Sequence, residues 1–395
     1  LYYGKRIHNR DNFDHLFETS PRPMSSCSYE GDLTFSLEHI KQEYPVYGSG
    51  DLRHPAIDIT QENGSHILNF EYVNHQIIQG KPQLDHLPAT YVEKEDEAQT
   101  LIITLYDDVI DTKLQLSYTI YHDLPVITRN AFIINCGQQA LRLNQIMSMS
   151  LDLPDQDYEM IELCGSWSRE RSIKTRKLVE GIQSIYSLRG CSSHQFNPFI
   201  ALKRKNCNEC TGEVLGFSFV YSGNFLAQVE VDNYHVSRVL MGIHPHGFEY
   251  VLNHLDSFQT PEVVMVYSNQ GLNKMSQTYH KLYQTRLVRG KYRDQVRPIL
   301  VNNWEGTYFD FNEDKIIKMA QTAKDLGIEL FVLDDGWFGH RNDDTQGLGD
   351  WFVNIDKLPH GISGLSKKIH DLGLKFGLWI EPEMVNKDSL FYQEH

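Results

Sequence analysis

The stretch Leu330-Phe331-Val332-Leu333-Asp334-Asp335-Gly336-Trp337 decides the reading of this chain. Four consecutive apolar residues run straight into two carboxylates and a turn glycine. That is the pattern of a short strand buried on both faces, and such strands belong to parallel sheets covered by helices. Upstream, residues 299–303 form another apolar run, ending on Asn302-Asn303. Asn312 then starts a helix whose apolar positions Ile316, Met319, Ala320 and Ala323 recur at threes and fours, and Gly327 stops it. Downstream, a long loop over 338–360 leads to a helix marked by Leu365, Ile369 and Leu372. Residues 375–380 are a third strand, ending on Glu381-Pro382-Glu383. From Pro298 the order is therefore βαβαβ. No GxGxxG or GxxxxGK follows these strands, which weakens a nucleotide fold. The start of a (β/α)8 barrel fits better, because barrels gather their chemistry at strand C-termini. Three strands cannot close such a barrel, so the remainder is expected beyond His395.

The preceding residues read differently. Runs such as 67–73, 101–106, 114–120, 127–134, 216–221 and 263–267 alternate or are β-branched, and turn signals separate them. This spacing predicts a large antiparallel β-sandwich. Met275, Tyr279 and Leu282 share one helical face, and Arg286, Arg289, Lys291, Arg293 and Arg297 follow as a basic run, read here as a solvated linker. The expected organisation is a sandwich over 1–272, a connecting helix and linker over 273–297, and the first three βα units of a TIM barrel over 298–395.

Composition narrows the function. Among 395 residues, 37 Lys+Arg stand against 52 Asp+Glu, for a formal net charge of −15. An acidic chain argues against nucleic-acid or anionic-membrane binding. No run of about 18 apolar residues appears, so no membrane-spanning helix is expected. The six cysteines, from Cys27 to Cys210, are scattered, and Cys207-x-x-Cys210 lacks the second ligand pair that a zinc site needs. A turn with two incidental cysteines is the expectation, in a reduced, cytoplasmic setting. The chain begins at Leu1 rather than Met, so a leader before it stays open.

Chemistry concentrates at the strand ends. Asp334 and Asp335 suit vicinal sugar hydroxyls, since each ionised carboxylate accepts several hydrogen bonds; their place after a buried strand favours a site over a mere turn. Four of the five Trp lie in the last quarter of the chain. Trp304 and Trp379 follow strand ends, where an indole face can meet the C–H side of a sugar ring. For Trp337 and Trp351, site and core remain equal readings. Glu381 and Glu383 raise a carboxylate-bound metal as a rival, weakened by the lack of a His-x-His or Lys at a strand end.

Three stretches carry a family resemblance: Asn303-Trp304-Glu305-Gly306-Thr307-Tyr308-Phe309-Asp310-Phe311, Leu333-Asp334-Asp335-Gly336-Trp337-Phe338-Gly339, and Gly377-Leu378-Trp379-Ile380-Glu381-Pro382-Glu383-Met384-Val385-Asn386. They resemble the first three barrel strands and loops of microbial α-galactosidases of glycoside hydrolase family 36, with Gly306 where Ala is expected. Gly48-Ser49-Gly50-Asp51-Leu52-Arg53-His54-Pro55-Ala56 and Gly212-Glu213-Val214-Leu215-Gly216-Phe217 resemble that family's sandwich. The resemblance implies hydrolysis of terminal α-1,6-galactosides such as melibiose and raffinose, with retention, and no metal or other cofactor. Retaining enzymes use two carboxyl groups about 5–5.5 Å apart. The resemblance implies that both are Asp residues on later strands, the nucleophile in a Lys-Trp-Asp motif. No such motif occurs here, so no catalytic residue is assigned to this chain. Asp334, Asp335 and Trp379 are expected in the galactose pocket, with Trp304 nearer the leaving group. By itself Arg53 reads as a surface residue beside Asp51. The resemblance implies a homotetramer in which Arg53 reaches another subunit's active site. A galactosyltransferase of the raffinose-synthase type and a non-catalytic sugar-binding module are the alternative readings.

Overall fold

The computed structural model describes residues 2–5, 7, 8, 11–13, 16, 31 and 35–395; Leu1 and Cys27 lie outside the described residues. It divides into two compact units, Leu1–Arg289 and Gly290–His395.

The first unit is an antiparallel sandwich. One sheet has ten strands, and its path runs Glu71–Gln79, Ala98–Asp107, Thr112–Tyr121, Val126–Asn135, Glu262–Ser268, Val214–Val220, Phe196–Arg204, Tyr158–Ser166 and Arg169–Lys177, with Ser257–Gln259 beside Val126–Asn135. The other has six: Ile57–Thr60, Leu141–Leu153, Ser237–Ile243, Phe225–Val231 and Gly181–Ser187, with Tyr250–Leu252 added to Leu141–Leu153. Strand alternation explains the layers. Val263 and Met265 join Phe217, Met149 and Val239 in the core between the sheets, while Val264 and Val266 point to the opposite face.

That opposite face is covered by the helix Gly271–Arg286, whose buried residues include Met275, Tyr279 and Leu282. Gly216 lies beneath it. A Cβ there would come within 2.8 Å of the Tyr279 ring and 2.9 Å of Met275 Sδ, and Tyr279 donates its hydroxyl proton to the Val264 carbonyl at 3.1 Å. The span 273–297 thus splits: its helix is seated on the sandwich, and the boundary between units falls after Arg289. The solvated-linker reading is corrected for two cations. Arg286 grips Glu97 at 2.7 and 2.8 Å, and Arg289 lies over the Tyr91 ring at 4.1 Å.

Both end strands of the ten-stranded sheet are exposed along almost their whole length. Arg169–Lys177 presents Arg169, Arg171, Lys174 and Lys177 along with Ile173, whereas Glu71–Gln79 presents Tyr72, Val73 and Ile77.

The second unit holds three parallel strands in chain order, Leu300–Asn302, Leu330–Leu333 and Lys375–Leu378. The helices Glu313–Asp325 and Gly361–Asp371 lie between them. Asn312 caps the first helix, its side chain accepting from Lys315 N, and Gly327 ends it in the left-handed region at φ +84°. The core gathers Ile316, Ala320, Phe331, Leu333, Phe338, Leu365 and Ile369. The first strand departs from the buried pattern: Ile299 and Leu300 are 61% and 51% exposed, because that strand has one neighbour only.

Candidate active site at the strand ends

The C-terminal ends of the three strands are stitched together by side chains. Asn302 and Asn303, closing the first strand, both reach the second. Asn302 Nδ2 donates to Asp334 Oδ2 in a very short hydrogen bond. The buried Asn303 accepts from Asp334 N at 2.8 Å through Oδ1, and its amide donates to Thr307 Oγ1 at 2.8 Å. Trp304 N returns a bond to Asn302 Oδ1 at 2.7 Å, which fixes the entry of the short helix Trp304–Thr307. Trp379 N bonds to Leu333 O at 2.9 Å and carries the pairing past the end of the third strand.

The two carboxylates of the Asp-Asp pair sit in different surroundings. Asp334 is half-buried and accepts Asp335 N at 2.7 Å in addition to Asn302. Asp335 is 5% exposed and is gripped by Arg341, with Nε at 2.9 and 3.1 Å and Nη2 at 2.8 Å. The site therefore holds one half-buried carboxylate oriented by hydrogen bonds and one pinned in an ion pair.

The indoles divide too. Trp337, equally site or core by sequence, is 4% exposed and donates Nε1–H to the Trp379 carbonyl at 2.9 Å, so it is core. Trp351 packs on Phe338 with ring centres 4.5 Å apart. Trp379 is half-buried, its ring at 18° to that of Phe338 with centres 6.4 Å apart. Trp304 is half-buried and meets Tyr308 and Phe309 edge-on at 5.2 and 5.0 Å.

Glu381 follows the third strand. Burial pushes its carboxyl above the ordinary value, and the nearby Glu383 pushes the same way, with Arg341 opposing. Such a group holds a proton to higher pH than a free Glu. Among the described residues, no three His, Cys, Asp or Glu side chains converge as a metal ion would require. Cys207 and Cys210 are unpaired thiols, and Asn208 Oδ1 accepts from Cys210 N and Thr211 N, which makes their segment a turn.

Arg53 is the correction. The exposed cation read from sequence is 7% exposed. Its Nε and Nη2 clasp Asp51 at 2.9 and 3.0 Å, and Nη2 also donates to the Ile40 carbonyl at 2.6 Å. Arg238, fully buried, joins the same Asp51 at 2.7 Å and Asp152 at 2.8 Å. Arg53 belongs to a buried charge cluster inside the sandwich, with Nη1 also 3.5 Å from both Asp152 and Asp232. Its loop also exposes Leu52, at 66%, Tyr47, at 56%, and His54.

Sequence reasoning missed Arg341 and Lys357. Both lie in the long irregular loop, where no periodicity marks a residue as buried. Asn302 and Asn303 did leave a signal, two amides closing an apolar strand.

An antiparallel sandwich joined to βα repeats with amides, carboxylates and indoles at the strand ends defines a class, multidomain proteins built on a (β/α)8 barrel. Comparison with known proteins is specific. A model described as the glycosyl hydrolase family 36 N-terminal domain matches residues 1–253, and one described as melibiase matches residues 257–395. The chain belongs to glycosyl hydrolase family 36. It is 55% identical to alpha-galactosidase AgaA of Geobacillus stearothermophilus, across 100% of this chain and 54% of that protein. It is 46% identical to alpha-galactosidase Mel36A of Lactobacillus acidophilus, with the same coverage. The crystal structure of AgaA superposes with a TM-score of 0.95 over 100% of this chain and 55% of its own. Variants of AgaA have been solved in complex with raffinose and with stachyose. The chain spans about half the length of the curated relatives it matches.

Proposed function

We propose that the whole protein is a retaining α-galactosidase that releases terminal α-linked galactose from melibiose- and raffinose-type oligosaccharides. This chain would supply the sandwich and one wall of the galactose pocket. The observation that carries the reading is the set of three adjacent strand ends. There the strand that ends on Asp334, itself oriented by Asn302, lies between the strands that run into the half-buried Trp304 and Trp379. Carboxylates and aromatic rings at neighbouring strand ends suit the two sides of a pyranose, hydroxyls on one and C–H on the other. Asp334 and Asp335 would accept from galactose hydroxyls. Trp379 would line the galactose subsite, and Trp304 would sit nearer the leaving group. The raffinose and stachyose complexes of AgaA support this substrate class.

The test is turnover of p-nitrophenyl α-galactoside, melibiose and raffinose by the full-length protein, with the anomer of the first-formed galactose read by NMR. Initial release of the α-anomer is expected. Inversion, or no turnover of any of the three, would sink the reading. Homotetramer formation and a cytoplasmic location belong to the same proposal. Light scattering at assay concentration tests the first, and cell fractionation the second.

A further inference from the structure

The pocket leaves two cations without a role, the buried Arg341 and the half-buried Lys357. Arg341 spends its Nε and Nη2 on both oxygens of Asp335 and donates Nη1 to the Gln346 carbonyl at 2.8 Å. The guanidinium fork thus fixes the plane of the carboxylate as well as its position. Among the described residues, Lys357 has no ion-pair partner within bonding distance. Its ammonium donates to three main-chain carbonyls, Phe309 at 3.0 Å, Gly336 at 3.0 Å and Arg341 at 3.3 Å. An ammonium has three protons, and all three are used.

These carbonyls come from the loop after the first strand, the turn after the Asp-Asp pair, and the backbone of Arg341 itself. One side chain therefore ties together three segments next to Asp335 and its partner Arg341. Two glycines make room for the arrangement. Gly336 has φ +93°, and a Cβ on it would meet the Phe309 ring at 3.0 Å. Gly347 has φ +85°, and a Cβ there would press on Arg341 Cβ at 2.9 Å. A buried ion pair of this kind contributes little net stability, because desolvation of both ions offsets their attraction. What it does supply is a carboxylate held in one orientation.

We propose that Arg341 and Lys357 are positioning residues that hold Asp335 in the orientation in which it receives a galactose hydroxyl. This rests on the pocket reading above. Arg341 acts directly on the carboxylate, and Lys357 acts on the loops that carry both partners.

The experiment uses the full-length protein and p-nitrophenyl α-galactoside, with wild type, Arg341→Lys, Lys357→Met and Asp335→Asn, and each cation variant combined with Asp335→Asn. No turnover by wild type would remove the pocket reading itself and leave no role to position. With an active wild type, each single cation variant should keep the wild-type circular dichroism and lose roughly tenfold or more in kcat/KM, the worth of one charge-assisted hydrogen bond. In the Asp335→Asn background that loss should shrink to about threefold or less, because two groups acting through one contact are not additive. Equal losses in both backgrounds, or kinetics unchanged by either substitution, would overturn the proposal. If neither cation variant folds, the pair is a folding element and the proposal is equally overturned.

Discussion

Asp334 and Asp335 adjoin in sequence, but substitution should separate them. Asp334→Asn removes a charged acceptor from a half-buried position whose partner, the Asn302 amide, can still be met by a neutral carbonyl. On the proposed function it should cost the full-length protein about 1.5–3 kcal/mol in transition-state binding, by kcat/KM on an aryl galactoside, with little change in melting temperature. Asp335→Asn leaves Arg341 buried beside a neutral amide, so it should also lower stability by about 1–3 kcal/mol, by urea denaturation. Equal stability of the two variants would contradict the assignment of Asp335 to a buried pair. The Asp-Asp pair and the strand-end indoles were legible because a polar cluster closing an apolar run is a local signal. The fate of Arg53 was not. Asp51 was visible beside it, but Asp152 and Arg238, which complete the cluster, come from remote strands. A single sequence also cannot say that the Trp337 indole will find the Trp379 carbonyl.

The helices of the second unit are coupled through one side chain. Glu313 opens Glu313–Asp325 and is buried, yet it accepts from His360, the residue before Gly361–Asp371, at 3.0 Å, and from Lys368 within that helix in a very short contact. One carboxylate thus serves the positive ends of two helices. Burial pushes its pKa up, but the bonds from Lys368 and His360 outweigh that and hold it below the ordinary 4.5. A depressed carboxylate contributes stability that is present above about pH 4.5 and lost as pH falls through the folded value. Urea midpoints of this chain should therefore decline from about pH 5 to about pH 3, and Glu313→Gln should flatten part of that decline. An identical slope in the variant would show that the coupling is idle. In the sandwich, Gly216→Ala should destabilise by about 1–3 kcal/mol, since its methyl would push against Tyr279 and Met275. An unchanged thermal midpoint would mean that the helix rides more loosely than its contacts suggest. Both helical faces involved were readable from period alone. That Met275, Tyr279 and Leu282 meet a sheet rather than span a linker was not, because periodicity gives a buried face without naming what buries it.

For the chain in its entirety, the expectation is binding without turnover. No Lys-Trp-Asp motif occurs in it, and a glycosyl-enzyme needs a nucleophile and an acid/base that this chain has not been assigned. Residues 1–395 purified alone should release no p-nitrophenol from the aryl galactoside above buffer; measurable release would place the catalytic pair within this chain. The architecture of the sandwich was legible in outline from its alternating strands, whereas its strand order, with residues 126–135 beside 262–268, was not, because sequence separation says nothing about which strand closes a long connection. The two ends of the ten-stranded sheet have a consequence for handling the protein. The Arg169–Lys177 end carries four exposed cations, and like charges would meet if the same strand of a second copy tried to extend the ladder there. The Glu71–Gln79 end offers Tyr72, Val73 and Ile77 to solvent with a single carboxylate. Unpaired strand ends are templates for aggregation unless charge or shape blocks them. Precipitation on concentrating or warming should therefore begin from residues 71–79, and Ile77→Lys should raise the concentration at which turbidity appears while a charge added to 169–177 does nothing.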